Sequence, residues 1–384
     1  MFTKNIIFKN FKKKKKLSKV KKNLSNLLKE NNEVLNSLKP TYNNNYNFKK
    51  IFKLKKKLEM RIIGIGGSIS GAKAIYDFLP VKKKVHFINN LETRIKIKKK
   101  NYLNLIISKS GNTLETIANT NALLSKKDNN IFITEHKRSY LHKLAESLKS
   151  EIVHHNNFIG GRYSVLSEVG MLPAELMGLN PNKFRQLNNL VKNKKFINEL
   201  IFNVSSILSL TKKNKINSIL INYNKNFDGL LEWYKQLVSE SLGKKSKGIL
   251  PIISNMPKDN HSTMQLYLDG FNKNFFTIFF SKDKKSNKII NREYIDKYRL
   301  IENKSISQIM YSQKLATERV FLKKNIPFRS FEINELNEKS LGELFCFFIL
   351  ETILIGRSLK LNPYDQPAVE LIKKETNKIL IRQR

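Results

Sequence analysis

Short apolar runs rich in Ile, Val and Phe alternate with longer amphipathic stretches from residue 61 onwards. Such runs predict buried parallel strands, and the stretches between them predict the helices that cover a sheet. A nearly all-helical segment over 164–214 separates two groups of strands. The predicted strands are RIIGIG (61–66), KVHFIN (84–89), NLIIS (104–108), IFIT (131–134) and EIVHH (151–155), then INSILIN (216–222), GILPII (248–253), FFTIFF (275–280) and RSFEI (329–333).

Helices are predicted in the gaps between these strands. The alternation therefore indicates an α/β protein with two doubly wound parallel-sheet domains, each with three αβα layers. We expect a lysine-rich helical segment over 1–59, a first domain over 60–190, and a second over 191–384 that includes a C-terminal helix. The predicted helices are 71–79, 113–125 and 139–149, then 228–242, 261–269, 306–324, 340–359 and 366–380.

The charge balance is strongly basic, with a formal net charge of +41 at pH 7. This excess raises the question of a polyanionic partner. Lysine carries most of it, whereas arginine is the residue preferred for bidentate contacts to nucleic acid. We expect a solvated basic surface and no nucleic-acid partner; polyanion binding by the first sixty residues is the alternative.

Apolar runs and cysteine usage narrow the class of protein further. No run of 18 or more apolar residues occurs, so no membrane span is expected. The single cysteine, Cys346, lies in the apolar run LFCFFIL and has no disulfide partner. We interpret it as a core residue in a reducing compartment and expect a cytoplasmic location. The histidines show no metal-ligand spacing, so no metal is expected.

Two turns that follow predicted strands are rich in glycine and hydroxyl groups, GIGGS (64–68) and SKSGNT (108–113). In open parallel sheets, ligands bind beyond the carboxyl ends of the strands. Glycines let backbone N–H groups approach an anion, and the second turn leads into a helix N-terminus, which favours phosphate. Either turn alone could be a structural connection. Together they favour phosphate over a nucleotide, because neither has a nucleotide-binding spacing.

Arg162 and Glu240 are the first two candidates for catalysis. Arg162 follows two glycines in a chain that uses lysine almost everywhere, which favours a fixed, delocalised cation over a surface salt bridge. Glu240 lies near the end of the predicted helix 228–242, on the apolar side that carries Trp233 and Leu237. Burial there disfavours the charged form and makes Glu240 a candidate base. The alternative is a side chain that frays outward in the last turn.

His261, Gln366 and Lys373 are further candidates. His261 is expected at or next to the N-cap of the helix 261–269, where the helix dipole favours a neutral ring that accepts or passes a proton. A capping or core role is the alternative. Gln366 and Lys373 are seven residues apart in the last predicted helix, so one side would present both groups. An ordinary amphipathic terminal helix is the alternative.

Taken in order, these segments resemble the glucose-6-phosphate isomerase family of the sugar-isomerase-domain class. The most specific are IGGRYSVLSEVG (159–170) and YDQPAVELIK (364–373), which look like that family's two signature segments. The resemblance covers roughly residues 60–380 and implies two sugar-isomerase domains. Matches in the expected order are also seen at GIGGS (64–68), SKSGNTLET (108–116), SESLGKKSKGILP (239–251) and NHSTMQLYLDG (260–270).

The resemblance implies an isomerase that interconverts glucose 6-phosphate and fructose 6-phosphate by ring opening and proton transfer through a cis-enediolate. It implies that Glu240 moves the proton between two sugar carbons, Arg162 stabilises the enediolate, and His261 and Lys373 open the ring. It also implies no cofactor, and a homodimer that shares His261 across the interface. The residues implied to bind the substrate are Gly67, Ser68, Ser108, Lys109, Ser110, Thr113 and Gln366.

Three features depart from the family pattern. The phosphate loop reads SKSGNT rather than an SKTFTT-like form, Glu168 stands where a small residue is usual, and the chain is short. These departures leave the reaction class intact and open the specificity to mannose 6-phosphate. One alternative is an isomerase of the same class that acts on a pentose or amino sugar phosphate. Another is a non-enzymatic sugar-phosphate sensor that binds nucleic acid.

Overall fold

The structure is a computed structural model that describes residues 3–12, 17–47, 51, 58–92, 101–125, 128–283, 285–289 and 300–383. The lysines at 13–16 lie outside the described residues. Two five-stranded sheets organise the described chain, with helices packed on both faces of each. The prediction of an α/β protein with two doubly wound, three-layer units is therefore confirmed.

The N-terminal segment is only partly helical. It contains a strand, β1 (Ile6–Lys9), followed by the helices α1 (Ser18–Lys29) and α2 (Glu33–Ser37). The prediction of a helical segment is wrong at β1, where Ile6 and Phe8 are buried while Lys9 is exposed. Four residues are too few to distinguish a two-residue period from a helical one, so the sequence alone does not indicate this strand.

The first sheet is wholly parallel and follows the order β3-β2-β4-β5-β6. Every residue of β4 is buried, as expected for a central strand covered on both faces. Strand β3 lies on one side of β2 and β4 lies on the other, so the helical connections after β2 and β4 leave in opposite directions and a crevice forms at the carboxyl ends of these two strands. The strands are β2 (Glu59–Ile63), β3 (Val85–Ile88), β4 (Tyr102–Ile107), β5 (Asn129–Thr134) and β6 (Glu151–His154).

The described helices that cover this sheet include α3 (Gly67–Phe78), α4 (Leu114–Leu123) and α5 (Tyr140–Ser147). The last two match their predicted positions closely. Helix α3 begins at Gly67 rather than at residue 71. Gly66, the N-cap residue, has a positive φ of 56°, which lets the chain turn sharply from the strand into the helix.

A 3₁₀ turn over Gly161–Leu166 leads into the helical segment that connects the two sheets, which confirms the prediction for 164–214. The expected domain boundary at 190/191 falls inside a helix of this segment, so the division of the chain into domains stays a prediction. The connecting helices are α6 (Glu168–Leu176), α7 (Pro181–Phe184), α8 (Leu187–Lys192) and α9 (Lys194–Lys212).

The second sheet follows the order β1-β10-β9-β7-β8. Its four C-terminal strands are parallel and repeat the order of the first sheet, whereas β1 pairs antiparallel with β10 at one edge. Strand β8 forms the other edge. The strands are β7 (Asn217–Asn222), β8 (Leu250–Asn255), β9 (Asn274–Ser281) and β10 (Phe328–Ile333).

Among the described residues, five α-helices follow β7. Helix α10 has the predicted bounds, and α13 is almost wholly buried. Within the described part of the chain, no helix is long and apolar enough to cross a membrane. The helices are α10 (Asp228–Leu242), α11 (Met264–Asp269), α12 (Ile306–Lys323), α13 (Glu338–Ser358) and α14 (Val369–Arg382).

One continuous apolar core joins the two units. It includes Phe78 of α3, Trp233 of α10 and Phe345 of α13, together with Phe8 of β1. Helices α3 and α10 pack along each other, so the helix that follows β2 lies directly against the helix that carries Glu240. This packing brings residues of the first crevice next to residues of the second unit.

A buried ion pair fixes the interior of the second unit. Arg329 of β10 hydrogen-bonds to the carboxylate of Glu351 in α13, and both side chains are fully buried. The guanidinium also donates to Asn203 Oδ1 of α9 at 2.7 Å and to the hydroxyl of Tyr234 in α10 at 3.2 Å. Four elements are thus connected by polar contacts from which water is excluded.

Replacement of Arg329 by Met should lower the free energy of unfolding by about 3–5 kcal/mol, because it leaves the Glu351 carboxylate buried without its cation. The measurement is urea unfolding of parent and variant. Arg357→Met is the matched control, because Arg357 also lies on α13 and binds a glutamate, Glu30, at the surface. That change should cost no more than about 1 kcal/mol. Equal losses in the two variants would contradict the prediction.

Candidate active site

The crevice between β2 and β4 contains the two turns that the sequence indicated. The chain passes so close here that a Cβ on Gly64 would lie 2.9 Å from the carbonyl oxygen of Ile107. Gly67 and Ser68 form the first turn of α3, and the 108–113 turn leads directly into α4. Two helix N-termini therefore lie beyond adjacent parallel strands, and both favour an anion.

The 108–113 turn has a defined shape. The hydroxyl oxygens of Ser108 and Thr113 are 2.8 Å apart, and Thr113 is the N-cap residue of α4. Gly111 has a positive φ of 64°, and a Cβ there would lie 2.0 Å from the Ser139 hydroxyl, so only glycine fits. Ser110 is exposed and accepts a hydrogen bond from the N–H of Asn112 at 3.2 Å. The hydroxyl groups and the helix N-terminus suit a phosphate.

Lys109 is held next to this turn by backbone carbonyl groups. Its ammonium donates to the carbonyl of Asn157 at 2.7 Å and to that of Ile159 at 3.2 Å. The carboxylate of Glu135 lies 3.5 Å away. An ammonium has three donors, so two carbonyls leave the third for an anionic ligand that competes with Glu135.

Two glycines bring the first turn of α3 against the 3₁₀ turn that carries Arg162. A Cβ on Gly67 would lie 2.1 Å from the carbonyl carbon of Gly161 and 2.4 Å from the nitrogen of Arg162. The absence of a side chain at Gly67 therefore determines how closely Arg162 approaches the crevice. This close approach explains why a glycine is needed at position 67, in addition to its expected role in binding substrate.

Arg162 is only 1% exposed, and hydrogen bonds engage all of its N–H groups. The Nη1 atom donates to Glu240 Oε2 at 3.1 Å and to Gln366 Oε1 at 2.6 Å. The Nε atom donates to the Ser241 hydroxyl at 2.8 Å. The Nη2 atom donates to the carbonyls of Pro363 and Asp365 at 2.8 and 3.0 Å. Arg162, Glu240 and Gln366, which the sequence identified separately, are thus in direct contact.

Glu240 faces a cavity of about 440 Å³, within the usual range for a small-molecule site. Its side chain is 27% exposed, so it does not fray into solvent. The second carboxylate oxygen accepts from Gln236 Nε2 at 2.8 Å, and Gln236 Oε1 accepts from the Ser70 hydroxyl at 3.0 Å. A chain of hydrogen bonds therefore connects α3 with the Glu240 carboxylate.

Sequence reasoning missed Gln236, Ser241 and Lys244. Gln236 precedes Glu240 by one helical turn, so the four-residue spacing was a signal that could have identified it. Lys244 donates to Asp365 Oδ1 at 2.7 Å and to the carbonyls of Asn362 and Asp365. It therefore fixes the 362–366 loop beside Arg162, a contact between positions too distant in sequence for any local pattern to indicate.

The predicted setting of His261 is wrong in detail. His261 ends a 3₁₀ turn over Lys258–His261, and the N-cap of α11 is Thr263, two residues later. The ring is exposed, and no hydrogen bond links it to Arg162 or Glu240 among the described residues of this chain. Helix α11 is too short for a strong dipole, so the expected effect on the imidazole loses its basis.

The predicted pairing of Gln366 with Lys373 on one helix is also wrong. Helix α14 begins at Val369, so Gln366 belongs to the preceding loop and faces Arg162. The Lys373 side chain is 62% exposed, and its ammonium binds Glu370 at 2.7 Å. None of the residues of α14 is buried. Within the described residues, no group of three or more His, Cys, Asp or Glu side chains could hold a metal ion.

Two doubly wound sheets, four parallel strands of which follow the same order in each, and a hydroxyl-rich turn at the first crevice define the fold of the sugar-isomerase-domain class. The fold is similar to that of a tagatose-6-phosphate ketose/aldose isomerase from Escherichia coli, with a TM-score of 0.54 over 91% of this chain and 95% of that one at 13% identity. A hypothetical protein from Thermus thermophilus gives a TM-score of 0.81 over 94% of both chains at 22% identity.

The chain belongs to the phosphoglucose isomerase family, whose model matches residues 13–249. It is 33% identical over 332 residues to a glucose-6-phosphate isomerase of Methanocaldococcus jannaschii, which covers 82% of each chain. It is also 33% identical over 371 residues to a protein of the same name from Acholeplasma laidlawii, which covers 86% of each chain. The family resemblance stated from the sequence is confirmed.

Gly67→Ala should lower the free energy of unfolding by about 1–3 kcal/mol, because the added methyl group forces the Arg162 turn away from α3. Denaturant unfolding measures the loss. Gly160→Ala is the control, because a Cβ there meets nothing closer than 3.9 Å. If Gly67→Ala is no less stable than the control, the close approach of the two turns is not a constraint.

Proposed function

We propose that this chain interconverts glucose 6-phosphate and fructose 6-phosphate. Family membership supports the reaction class, and relatives named glucose-6-phosphate isomerase support the substrate. The observation on which the mechanism rests is the Glu240 carboxylate, which lies 3.1 Å from the buried Arg162 guanidinium and faces a cavity. The alternative substrates and the nucleic-acid sensor gain no support from these relatives.

The chemistry requires one base and one oxyanion partner. Glu240 removes the proton from C2 of the open-chain aldose, the electron pair forms the C1–C2 double bond, and negative charge develops on O1. Arg162 stabilises that charge electrostatically. Glu240 then returns the proton to C1 while the proton of the C2 hydroxyl moves to O1, which gives the ketose.

The contacts of Arg162 suggest how substrate activates the base. All five N–H groups of the guanidinium are engaged, so an oxyanion at Nη1 must displace an oxygen of Glu240 or of Gln366. Displacement of Glu240 frees its carboxylate from the ion pair at the moment when it must accept a proton. Gln236 keeps the carboxylate in place through its other oxygen.

Substrate phosphate is proposed to lie at the crevice, with donors from both turns. Gly67 and Ser68 contribute the N-terminus of α3, and the 108–113 turn contributes Ser108, Lys109, Ser110 and Thr113. Two helix N-termini and one ammonium suit a dianion. The phosphate would anchor the sugar so that its carbon chain reaches Glu240.

The roles of His261 and Lys373 in ring opening require a second subunit or a movement, because neither residue contacts Glu240 in the described chain. His261 is exposed next to the edge strand β8, whose outward residues Leu250 and Ile252 are 56% and 37% exposed. Leu266 and Phe271 nearby are also exposed apolar residues. We propose that a second copy of the chain covers this edge and receives His261 in its own site. A cytoplasmic location likewise stays a prediction.

Glu240→Gln keeps the size and hydrogen bonding of the side chain but removes the base. Turnover of glucose 6-phosphate should fall by at least about 10²-fold, while binding of the phosphosugar persists. Glu146→Gln is the control, because Glu146 is 62% exposed, lies beside His142 at the surface and does not line the cavity that Glu240 faces. Steady-state kinetics and ligand titration measure both effects. Near-parental turnover of Glu240→Gln would show that this residue is not the base.

A shared His261 predicts complementation between two inactive variants. Glu240→Gln and His261→Asn are each purified, unfolded, mixed in equal amounts and refolded so that the subunits exchange. If the histidine crosses the interface, each mixed dimer has one site with both changes and one with neither, so activity recovers to about a quarter of the parental value. If verified mixed dimers remain inactive, the histidine serves its own chain.

A further inference from the structure

Glu168 is a fully buried carboxylate next to the turn 156–159. It is the first residue of α6 and is 0% exposed. Its Oε1 accepts from the backbone N–H of Asn156 at 2.6 Å, and its Oε2 accepts from the Tyr42 hydroxyl at 3.2 Å. Burial raises the pKa of Glu168, although these hydrogen bonds act in the opposite direction. A buried carboxylate of this kind requires an explanation.

The partner of Glu168 is the residue that organises the turn 156–159. Asn156 Oδ1 accepts from the N–H of Phe158 at 2.9 Å, and its carbonyl accepts from the N–H of Ile159 at 3.2 Å. Its Nδ2 donates to Glu33 of α2 at 3.0 Å. Asn156 therefore determines the shape of the turn internally, and Glu168 and Glu33 anchor it from outside.

The same turn provides the two carbonyls that hold Lys109. They belong to Asn157, which directly follows Asn156, and to Ile159, whose N–H donates to the Asn156 carbonyl. A connected set of hydrogen bonds thus runs from Glu168 through the turn to the Lys109 ammonium. An ammonium is a point charge on a flexible stem, so its position depends on such acceptors.

We propose that Glu168 is a positioning residue for Lys109: through Asn156 it fixes the carbonyls that aim the ammonium at the substrate phosphate. The positioning role depends on the proposed function only for the identity of the anion, which that function makes a phosphosugar. The carboxylate form matters because a charge-assisted hydrogen bond holds the Asn156 N–H more strongly than a neutral acceptor does. Tyr42, from the N-terminal segment, completes the anchor.

The chain contains a matched pair for comparison. Tyr46 donates to Glu175 Oε2 at 2.8 Å, which repeats the Tyr42–Glu168 pair between the same N-terminal segment and the same helix. Glu175 lies seven residues, or about 10 Å, further along α6. Among the described residues, no hydrogen bond joins Tyr46 or Glu175 to the 156–159 turn.

The test compares Glu168→Gln with Glu175→Gln. Glu168→Gln should raise the KM for glucose 6-phosphate and the Kd for inorganic phosphate about fivefold, with kcat within about twofold of parent, because only ligand positioning is weakened. Kinetics measure the first effect and calorimetric titration with phosphate the second. Glu175→Gln should leave both constants unchanged. Parental constants in Glu168→Gln, or an equal shift in Glu175→Gln, would overturn the proposal.

A double-mutant cycle distinguishes action through Lys109 from a general loosening. In a Lys109→Met background, Glu168→Gln should not raise either constant further, because the group that it positions is absent. Additive effects would overturn the proposal. If Glu168→Gln does not fold, Tyr42→Phe against Tyr46→Phe tests the same anchor, and only the first should weaken phosphate binding, by about twofold.

The phosphate titration keeps this proposal separate from the proposed function. If the parent protein fails to isomerise glucose 6-phosphate, the assigned reaction is wrong, but phosphate binding by the variants still decides the role of Glu168. If the parent is active and the Glu168→Gln constants are parental, the reaction stands and the positioning role is wrong.

Discussion

A buried guanidinium requires an acceptor for each of its N–H groups, and Arg162 obtains them from segments 78 to 204 residues away in the sequence. Two of these acceptors are the carbonyls of Pro363 and Asp365, which leave the 362–366 loop little choice of position. The Ser241 hydroxyl and the Glu240 carboxylate align the end of α10 in the same way. The hydrogen bonds that the Arg162 guanidinium requires therefore set the relative positions of α10 and the 362–366 loop at the site.

Two further contacts make that arrangement possible. Gly67 lets the Arg162 turn approach α3, and the Trp233 indole donates to the carbonyl of Arg162 at 3.0 Å. The backbone of Arg162 is thus fixed from α10 while its side chain is fixed by the 362–366 loop. A cation held on both sides cannot follow a moving ligand, so the field at Nη1 is set before substrate arrives.

Much of the fold could be predicted from the sequence, because hydrophobic periodicity is strong in long elements such as α10, whose bounds were predicted to the residue. Glycine and hydroxyl groups after strands likewise indicated the crevice. What depends on contacts between distant residues could not be predicted: β1 needs its partner strand, and Lys244 needs the 362–366 loop. His261 and Gln366 were assigned to the starts of predicted helices, but α11 begins only at Met264 and α14 only at Val369, because helix ends are weakly determined by periodicity.

The pairing of β1 with β10 has a consequence for how the chain is made. Ile6 lies opposite Ile333 and Lys9 opposite Ser330, so β1 completes its sheet only with a strand that lies more than three hundred residues further along the chain. Until then Ile6 and Phe8 lack their place in the core, and closing so large a loop carries an entropic cost. Strand β1 can therefore join the second sheet only after β10 has been synthesised.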